Sequence, residues 1–358
     1  MNNMITYAKQ QMKTFQEEPI NLVDSLILAW ISYLRIPQCE KSATTFRGVA
    51  LKNLYKAEYF EELFHNVYEP EQAQELFTSL CSSPRFRDMK ILKYTQQLNA
   101  SQEKQFSALT LQFDKNKYFV SFRGTDSTIV GWKEDFNMFF ECPVPSQIEA
   151  GKYVKHILKY TNGDLYLGGH SKGGNLAAYA AAINNQKRIL QIYMHDAPGF
   201  LPEIVEQQNF QDIVQKTTKI VPQSSFFGMV LEDNVQSLVI QSNRKSFWQH
   251  DPFSWEIENF DFKYETEVNN SSKYVNKAFQ NWLKGISPGQ REQFIDLWYN
   301  LIQSTNSKTT SELQENWLSL LKAVSDIDEE AKECILQVTK SIVSIGIKTA
   351  LNKKSETL

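Results

Sequence analysis

Apolar positions recur along this 358-residue chain with two different periods, and the change from one period to the other marks its elements. Between Asn21 and Leu34, the residues Leu22, Leu26, Trp30 and Tyr33 fall on one helical face that Val23, Ile27 and Ile31 broaden, which predicts a well-buried helix. Residues 1–20 read as a peripheral lead-in to it. From Phe46 to Phe86 the chain is rich in Phe and Tyr and closes on Ser83-Pro84, the pattern of short, mixed helices. Alternation then takes over. Leu109, Leu111 and Phe113 face one way in Phe106–Phe113, Tyr118, Val120 and Phe122 are spaced likewise in Lys117–Phe122, and Asp114-Lys115-Asn116 lies between them, which predicts two strands and a turn.

Helical spacing returns at Ile148, Val154, Ile157 and Leu158 within Gln147–Tyr160. A short apolar run around Leu165, an alanine-rich stretch from Leu176 to Ile183 and another run at Ile189–Met194 continue the exchange of strand and helix. Two further apolar runs, Lys219–Val221 and Leu238–Gln241, end in polar loops. The fold class this predicts is α/β, a mostly parallel sheet with helices on its faces and functional loops at the carboxyl ends of its strands. From about Asn270 the strands stop, and amphipathic helices are expected around Phe294–Ile302, Trp317–Val324 and Ile335–Leu351. The chain therefore divides into a peripheral segment 1–20, an α/β domain 21–269 and a helical C-terminal region 270–358.

Composition narrows the function classes. A hydrophobic content of 42% can fill a large core, whereas a net charge of −3 and no Lys/Arg cluster interleaved with aromatics give nucleic acid nothing to bind. Met1–Glu18 lacks the basic start and apolar core of a secretory signal, and no run of eighteen apolar residues occurs, so a cytoplasmic protein without a transmembrane segment is expected. Cys39, Cys81, Cys142 and Cys334 are scattered, without the paired spacing zinc needs, and read as reduced thiols. There is no phosphate-binding Gly-x-x-x-x-Gly-Lys motif, no His-Glu-x-x-His and no calcium loop, so the expected chemistry needs no metal and no cofactor.

The chemistry is concentrated at Gly169-His170-Ser171-Lys172-Gly173, which joins the Leu165 strand to the alanine-rich helix. With 14 Gly and 29 Ser in 358 residues, chance supplies about 0.04 such Gly-x-Ser-x-Gly matches before strand and helix are required on the correct sides. A sharp strand-to-helix turn lifts the Ser171 hydroxyl clear of the backbone, and the amide of Lys172 at the helix start points at any oxygen that becomes negative during attack on a carbonyl. A Ser-x-x-Lys mechanism is excluded, because position 174 is Gly174.

A serine hydroxyl needs a base and, usually, a carboxylate that orients the base. In the chain order Ser, acid, His, the base follows the serine on a later strand end, which removes His65 and His156, while His170 in the elbow points elsewhere. His195 and His250 remain, and the place of His250 just after the Leu238–Gln241 strand favours it. Asp196, ending the strand after the elbow helix, is the leading acid, with Asp233 and Glu232 as competitors. With Asp196 in that role, His195 falls on the other face of its strand. Phe226, Phe227 and Met229 are the residues expected to line an acyl slot or a lid, and Leu201–Lys216 is a second lid candidate.

Phe122-Arg123-Gly124-Thr125-Asp126, then Gly131-Trp132 and Asp135, then Gly168 to Asn175, Asp196 to Phe200 and Gln249-His250-Asp251-Pro252 together resemble the class 3 lipase group of α/β hydrolases. The closest likeness is to a bacterial branch of unknown function within that group, and it covers about residues 20 to 260. The resemblance implies that Thr125, or Asp126 beside it, is the second oxyanion donor, that His250 is the base and that Arg123 ties the turn down. It departs at the acid, which in class 3 lipases follows the strand matching Thr218–Val221, where this chain has Pro222-Gln223-Ser224-Ser225-Phe226 and no carboxylate. The expected activity is cleavage of a carboxylic or lipid ester through an acyl-enzyme. The rival reading is a hydrolase scaffold used for binding, in which a missing acid leaves Ser171 weakly activated. The C-terminal helices are expected to pack on the catalytic domain, with a homodimer or a peripheral membrane contact as the other uses.

Overall fold

Asn21 starts the first long helix, its side chain and that of Asp24 forming a reciprocal cap on Leu22–Trp30. The computed structural model describes residues 2–126, 128–308, 312 and 316. Its strands are β1 (Val49–Ala50), β2 (Lys90–Asn99), β3 (Lys104–Asp114), β4 (Lys117–Phe122), β5 (Asp164–His170), β6 (Ile189–His195), β7 (Thr217–Pro222), β8 (Ser237–Ile240), a separate hairpin β9 (Ile257–Glu258) and β10 (Asp261–Phe262), and β11 (Tyr264–Glu265). Across the main sheet the order is β1-β2-β3-β4-β5-β6-β7-β8-β11. Strands β4 to β8 are parallel neighbours, whereas β1 to β4 and the pair β8/β11 are antiparallel. The parallel stretch, with helices on both faces, is an α/β-hydrolase fold.

Alternation along the strands sorts side chains between two cores. Phe119 and Tyr193 face a core with Leu26 and Ile27 of the first long helix. Val120, Leu167, Ile192 and Met194 face the other, with Val154 and Ile157 of the helix Pro145–Tyr160 and Ala177 and Ala181 of the helix Lys172–Asn184. Each such residue fully removed from water contributes about 1.5–3 kcal/mol before entropy is counted.

Three expectations change. Segment 1–20 is not peripheral: Met4, Ile5, Tyr7, Ala8 and Phe15 are buried in the first core, and the amide of Ile257 donates to the carbonyl of Asn2. Met4, Ile5, Tyr7 and Ala8 share one face of the short helix Met4–Gln10, but what that face packs against is set by tertiary contacts. Strand β2 was not foreseen, because only part of it is buried and Lys93, Gln96 and Gln97 interrupt the alternation. Leu201–Lys216 is not a lid over the site: Val205, Phe210 and Ile213 are buried in the second core, with the Phe210 ring 4.9 Å from that of Phe200.

The C-terminal region contributes the helices Asn270–Gly285 and Pro288–Ser304, which pack on the α/β body. The Phe279 ring lies 5.3 Å from Phe139, and Arg291 Nη1 donates to the Phe139 carbonyl at 2.7 Å. The helices expected around Trp317–Val324 and Ile335–Leu351 lie outside the described residues. Among the described residues no helix is long and apolar enough to cross a membrane.

Candidate active site

Ser171 stands between β5 and the helix Lys172–Asn184 with φ 58° and ψ −135°, a backbone conformation that costs a non-glycine residue about 1–3 kcal/mol. Its neighbours allow the turn. A Cβ on Gly169 would sit 2.2 Å from the carbonyl carbon of Gly173, and one on Gly173 would sit 2.1 Å from the carbonyl oxygen of Phe122 at the end of β4. The Ser171 amide donates to the carbonyl of His195 at 2.9 Å, which ties the elbow to β6.

His250 ends a 3-10 turn, Ser246–His250, in the loop after β8. Its Nδ1 lies 2.7 Å from Oδ2 of Asp196. Because an ionised carboxylate only accepts, Nδ1 carries the proton and Nε2 keeps a free lone pair. Asp196 follows β6 directly, with φ 44°, a left-handed turn that Asp tolerates. The turn buries the carboxylate, and Oδ1 accepts from Ser225 Oγ at 2.5 Å and from the Gly228 amide at 3.0 Å. The stretch Pro222–Phe226 that ends β7 lacks a carboxylate, yet its loop supplies donors, from Ser225 and Gly228, to the carboxylate that follows β6.

The His170 ring, set aside as a base in the sequence, lies against the loop that carries His250. Its Nε2 is 2.7 Å from the carbonyl of His250, and the two rings are 4.4 Å apart. A carbonyl cannot donate, so Nε2 carries the hydrogen and Nδ1 accepts from Tyr33 Oη at 3.1 Å. Burial, then repulsion by His250, holds the His170 pKa well below the usual histidine value, so the ring is a neutral brace at physiological pH. Gln249 adds to the brace, accepting the Ser224 amide at 2.6 Å while its own carbonyl takes the Trp255 indole N–H at 2.8 Å.

The other candidates separate from this pair. His195 is fully buried on the opposite face of β6, its Nε2 3.1 Å from Ser25 Oγ, and burial lowers its pKa to about 3. Asp233 is paired with Lys219 and accepts the Val235 amide at 2.9 Å, away from His250. Glu232 bridges by its backbone to Phe200 and by its side chain to Lys284 at 3.4 Å.

The loop after β4 abuts the elbow, for a Cβ on Gly124 would lie 3.2 Å from Cβ of Ser171. Thr125 Oγ1 donates to Asp135, 2.7 Å from Oδ1 and 2.5 Å from Oδ2. The Asp126 carboxylate is taken up by the turn itself: it lies 3.4 Å from Arg35 and 3.7 Å from Arg123 and accepts the Thr128 amide at 3.0 Å. Arg123 is the buried tie that the motif suggested, although burial lowers its pKa. The Lys172 side chain, for which sequence offered no role, runs inward to Glu134 at 3.0 Å and Gln105 Oε1 at 2.9 Å.

Phe227 and Phe226 start an aromatic row beside His250. The Phe227 ring is 4.3 Å from His250 and 5.5 Å from Phe226. From Phe226 the row passes to Phe279 at 5.6 Å, Phe139 at 5.3 Å, Phe136 at 6.0 Å and Trp132 at 6.3 Å. It thus links His250 to the helix Ile129–Asn137, which follows the Thr125 loop. Met229 leaves this row and packs against Val221, Val239 and Val268.

A parallel sheet that presents an elbow serine at its carboxyl edge, with a His–carboxylate pair on later strand ends, defines a lipase-like α/β hydrolase. The chain belongs to the Mbeg1-like family, a lipase-like family that matches residues 80–300 and so includes Ser171, Asp196 and His250. Among solved structures it is similar to a lipase from Rhizopus microsporus var. chinensis, at 14% identity and a TM-score of 0.35 over 67% of this chain and 90% of that one. It is also similar to lipase II from Rhizopus niveus, at 15% identity and 0.35 over 58% and 83%, and to a lipase from Yarrowia lipolytica, at 11% and 0.32 over 43% and 66%. No curated protein matches the chain.

Proposed function

We propose that this protein is a serine hydrolase that cleaves a carboxylic ester through an acyl-enzyme. Ser171 Oγ attacks the carbonyl carbon while His250 Nε2 takes its proton. The oxyanion is held by the amides of Lys172 and Thr125, and the collapsing intermediate releases an alkoxide that receives the proton back from His250. Water repeats the sequence to free the acid and restore Ser171. Asp196 keeps the imidazole in the required tautomer and stabilises the imidazolium.

The observation that carries this reading is the 2.7 Å contact between His250 Nδ1 and Asp196 Oδ2. The scaffold reading rested on a missing acid, and a buried carboxylate on the base leaves it without that support. The aromatic row beside His250, with Phe226 and Phe227 at its start, supports an apolar acyl group as the part of the substrate next to the scissile bond. Cys39, Cys81 and Cys142 are free thiols, in keeping with a cytoplasmic enzyme.

A fluorophosphonate probe tests the proposal, because it labels only an activated serine. The wild-type protein is expected to be labelled at Ser171 and to hydrolyse a short acyl ester. Ser171→Ala is expected to lose both while keeping its melting temperature. Folded wild-type protein that takes no label overturns the reading.

A further inference from the structure

Hydrolysis as written uses only the backbone of Lys172, yet its side chain is the most constrained charge near the elbow. The residue is 1% exposed, although it stands at the first position of a helix, where a lysine meets the positive end of the helix dipole. Its Nζ lies 3.0 Å from Glu134 Oε2 and 3.5 Å from Asp135 Oδ1, so a single ammonium faces two adjacent carboxylates. Each carboxylate is anchored to a different part of the fold. Glu134 is fully buried and accepts the amides of Gln105 and Ser146 at 3.0 and 2.8 Å, which fix it to β3 and to the helix Pro145–Tyr160. Asp135 takes the Thr125 hydroxyl on both of its oxygens. Burial alone would lower the Lys172 pKa, but the two carboxylates outweigh it and hold the side chain charged.

Packing does not require this arrangement, since apolar residues of similar volume fill a buried site at least as well as an ion pair. What the network does connect is the two elements that carry the oxyanion donors: Lys172 on the elbow and Thr125 on the loop after β4. Both amides must lie about 2.7–3.1 Å from one oxygen that exists only in the transition state, and a displacement of about 1 Å can cost about 100-fold in rate.

We propose that the Lys172 ammonium is a positioning residue that, through Glu134 and Asp135, fixes the Thr125 loop against the elbow and so sets the geometry of the oxyanion site. This inference rests on the serine hydrolase reading. Two variants cut the connection at its ends, Lys172→Met at the ammonium and Thr125→Val at the hydroxyl, and both leave the backbone amides in place. Each is expected to lower kcat about 10–100-fold, with KM for a short acyl ester within about twofold of wild type and the affinity of a trifluoromethyl ketone, which mimics the oxyanion, reduced by the same factor as kcat. The double variant is expected to lose little more than the worse single one, because both cuts sever one network.

A folded Lys172→Met with wild-type kcat overturns the proposal, as do losses that multiply in the double variant. Where Lys172→Met fails to fold, unchanged kcat in Thr125→Val overturns it instead. A wild-type protein that neither hydrolyses the ester nor takes a fluorophosphonate overturns the hydrolase reading and this inference with it. An active wild type with unaffected variants overturns this inference alone.

Discussion

The two halves of the site are built by different means. On the nucleophile side, Ser171 and its neighbours belong to the sheet itself: the elbow follows the central strand β5, its glycines touch backbone, and its flanking lysine is locked into a buried ion pair. On the base side, His250 rides on a loop after the short strand β8, keeps 22% of its side chain exposed, and holds its place by accepting from His170 Nε2 at its carbonyl and donating from Nδ1 to Asp196, while neighbouring Gln249 accepts the Ser224 amide. Backbone packing can fix an atom without help. A loop needs several polar contacts, each worth about 0.5–1.5 kcal/mol, to achieve the same precision. Substitutions on the base side should therefore cost rate while leaving the protein folded.

The sharpest way to test that division is to remove the base and its partner. His250→Ala is expected to lower kcat by about 10⁴-fold or more, and Asp196→Asn by about 10³–10⁴-fold, because the amide favours the wrong imidazole tautomer. Both proteins should remain folded by circular dichroism. Asp233→Asn, measured beside them, should leave kcat unchanged, since that carboxylate is paired with Lys219; a loss equal to that of Asp196→Asn would mean that the base side is assembled differently.

A smaller effect is expected from the brace. His170→Phe keeps a ring beside His250 but removes both hydrogen bonds of the imidazole. The expected result is a kcat about tenfold lower and a stability loss of about 1–3 kcal/mol, because the Tyr33 O–H loses its acceptor and the His250 carbonyl its donor. Steady-state kinetics together with urea unfolding check it, and a variant with wild-type kcat would show that the loop is fixed without His170.

An effect on the pH dependence of stability, with none expected on kcat, comes from the sheet rather than the site. His195 has a folded pKa of about 3 against an ordinary 6.5, so the unfolded chain binds a proton first as the pH falls. Its contribution is complete above pH 6.5 and is lost progressively down to about 3, amounting to roughly 2 kcal/mol at pH 5. Urea midpoints across that window should fall less steeply for His195→Gln than for wild type. Parallel curves would remove His195 as the cause.

Ser171 and its glycines were legible because the residues that form the turn are consecutive in the chain, although Phe122 and His195 complete its surroundings. The pairing of β3 with β4 and the helix after Asn21 were legible for the same reason, since period and cap are local. Strand β2 and the buried start of the chain were not, because polar residues interrupt the alternation of β2 and what the short helix Met4–Gln10 packs against is set by tertiary contacts. His170 carried no signal for its bracing role beyond its place in the motif, and the inward course of Lys172 carried none: a lysine in a glycine-rich turn reads as solvated until a carboxylate 38 residues earlier in the chain is found beside it.

By itself, then, the sequence determined the element periods and the strained serine turn, both set by short-range sterics and spacing. Only the tertiary structure decided which carboxylate meets His250, which histidine sinks into the core and where the charge of Lys172 goes. Those choices depend on which strand ends come together at the sheet edge, and on the cost of burying a polar group without a partner, neither of which local sequence encodes.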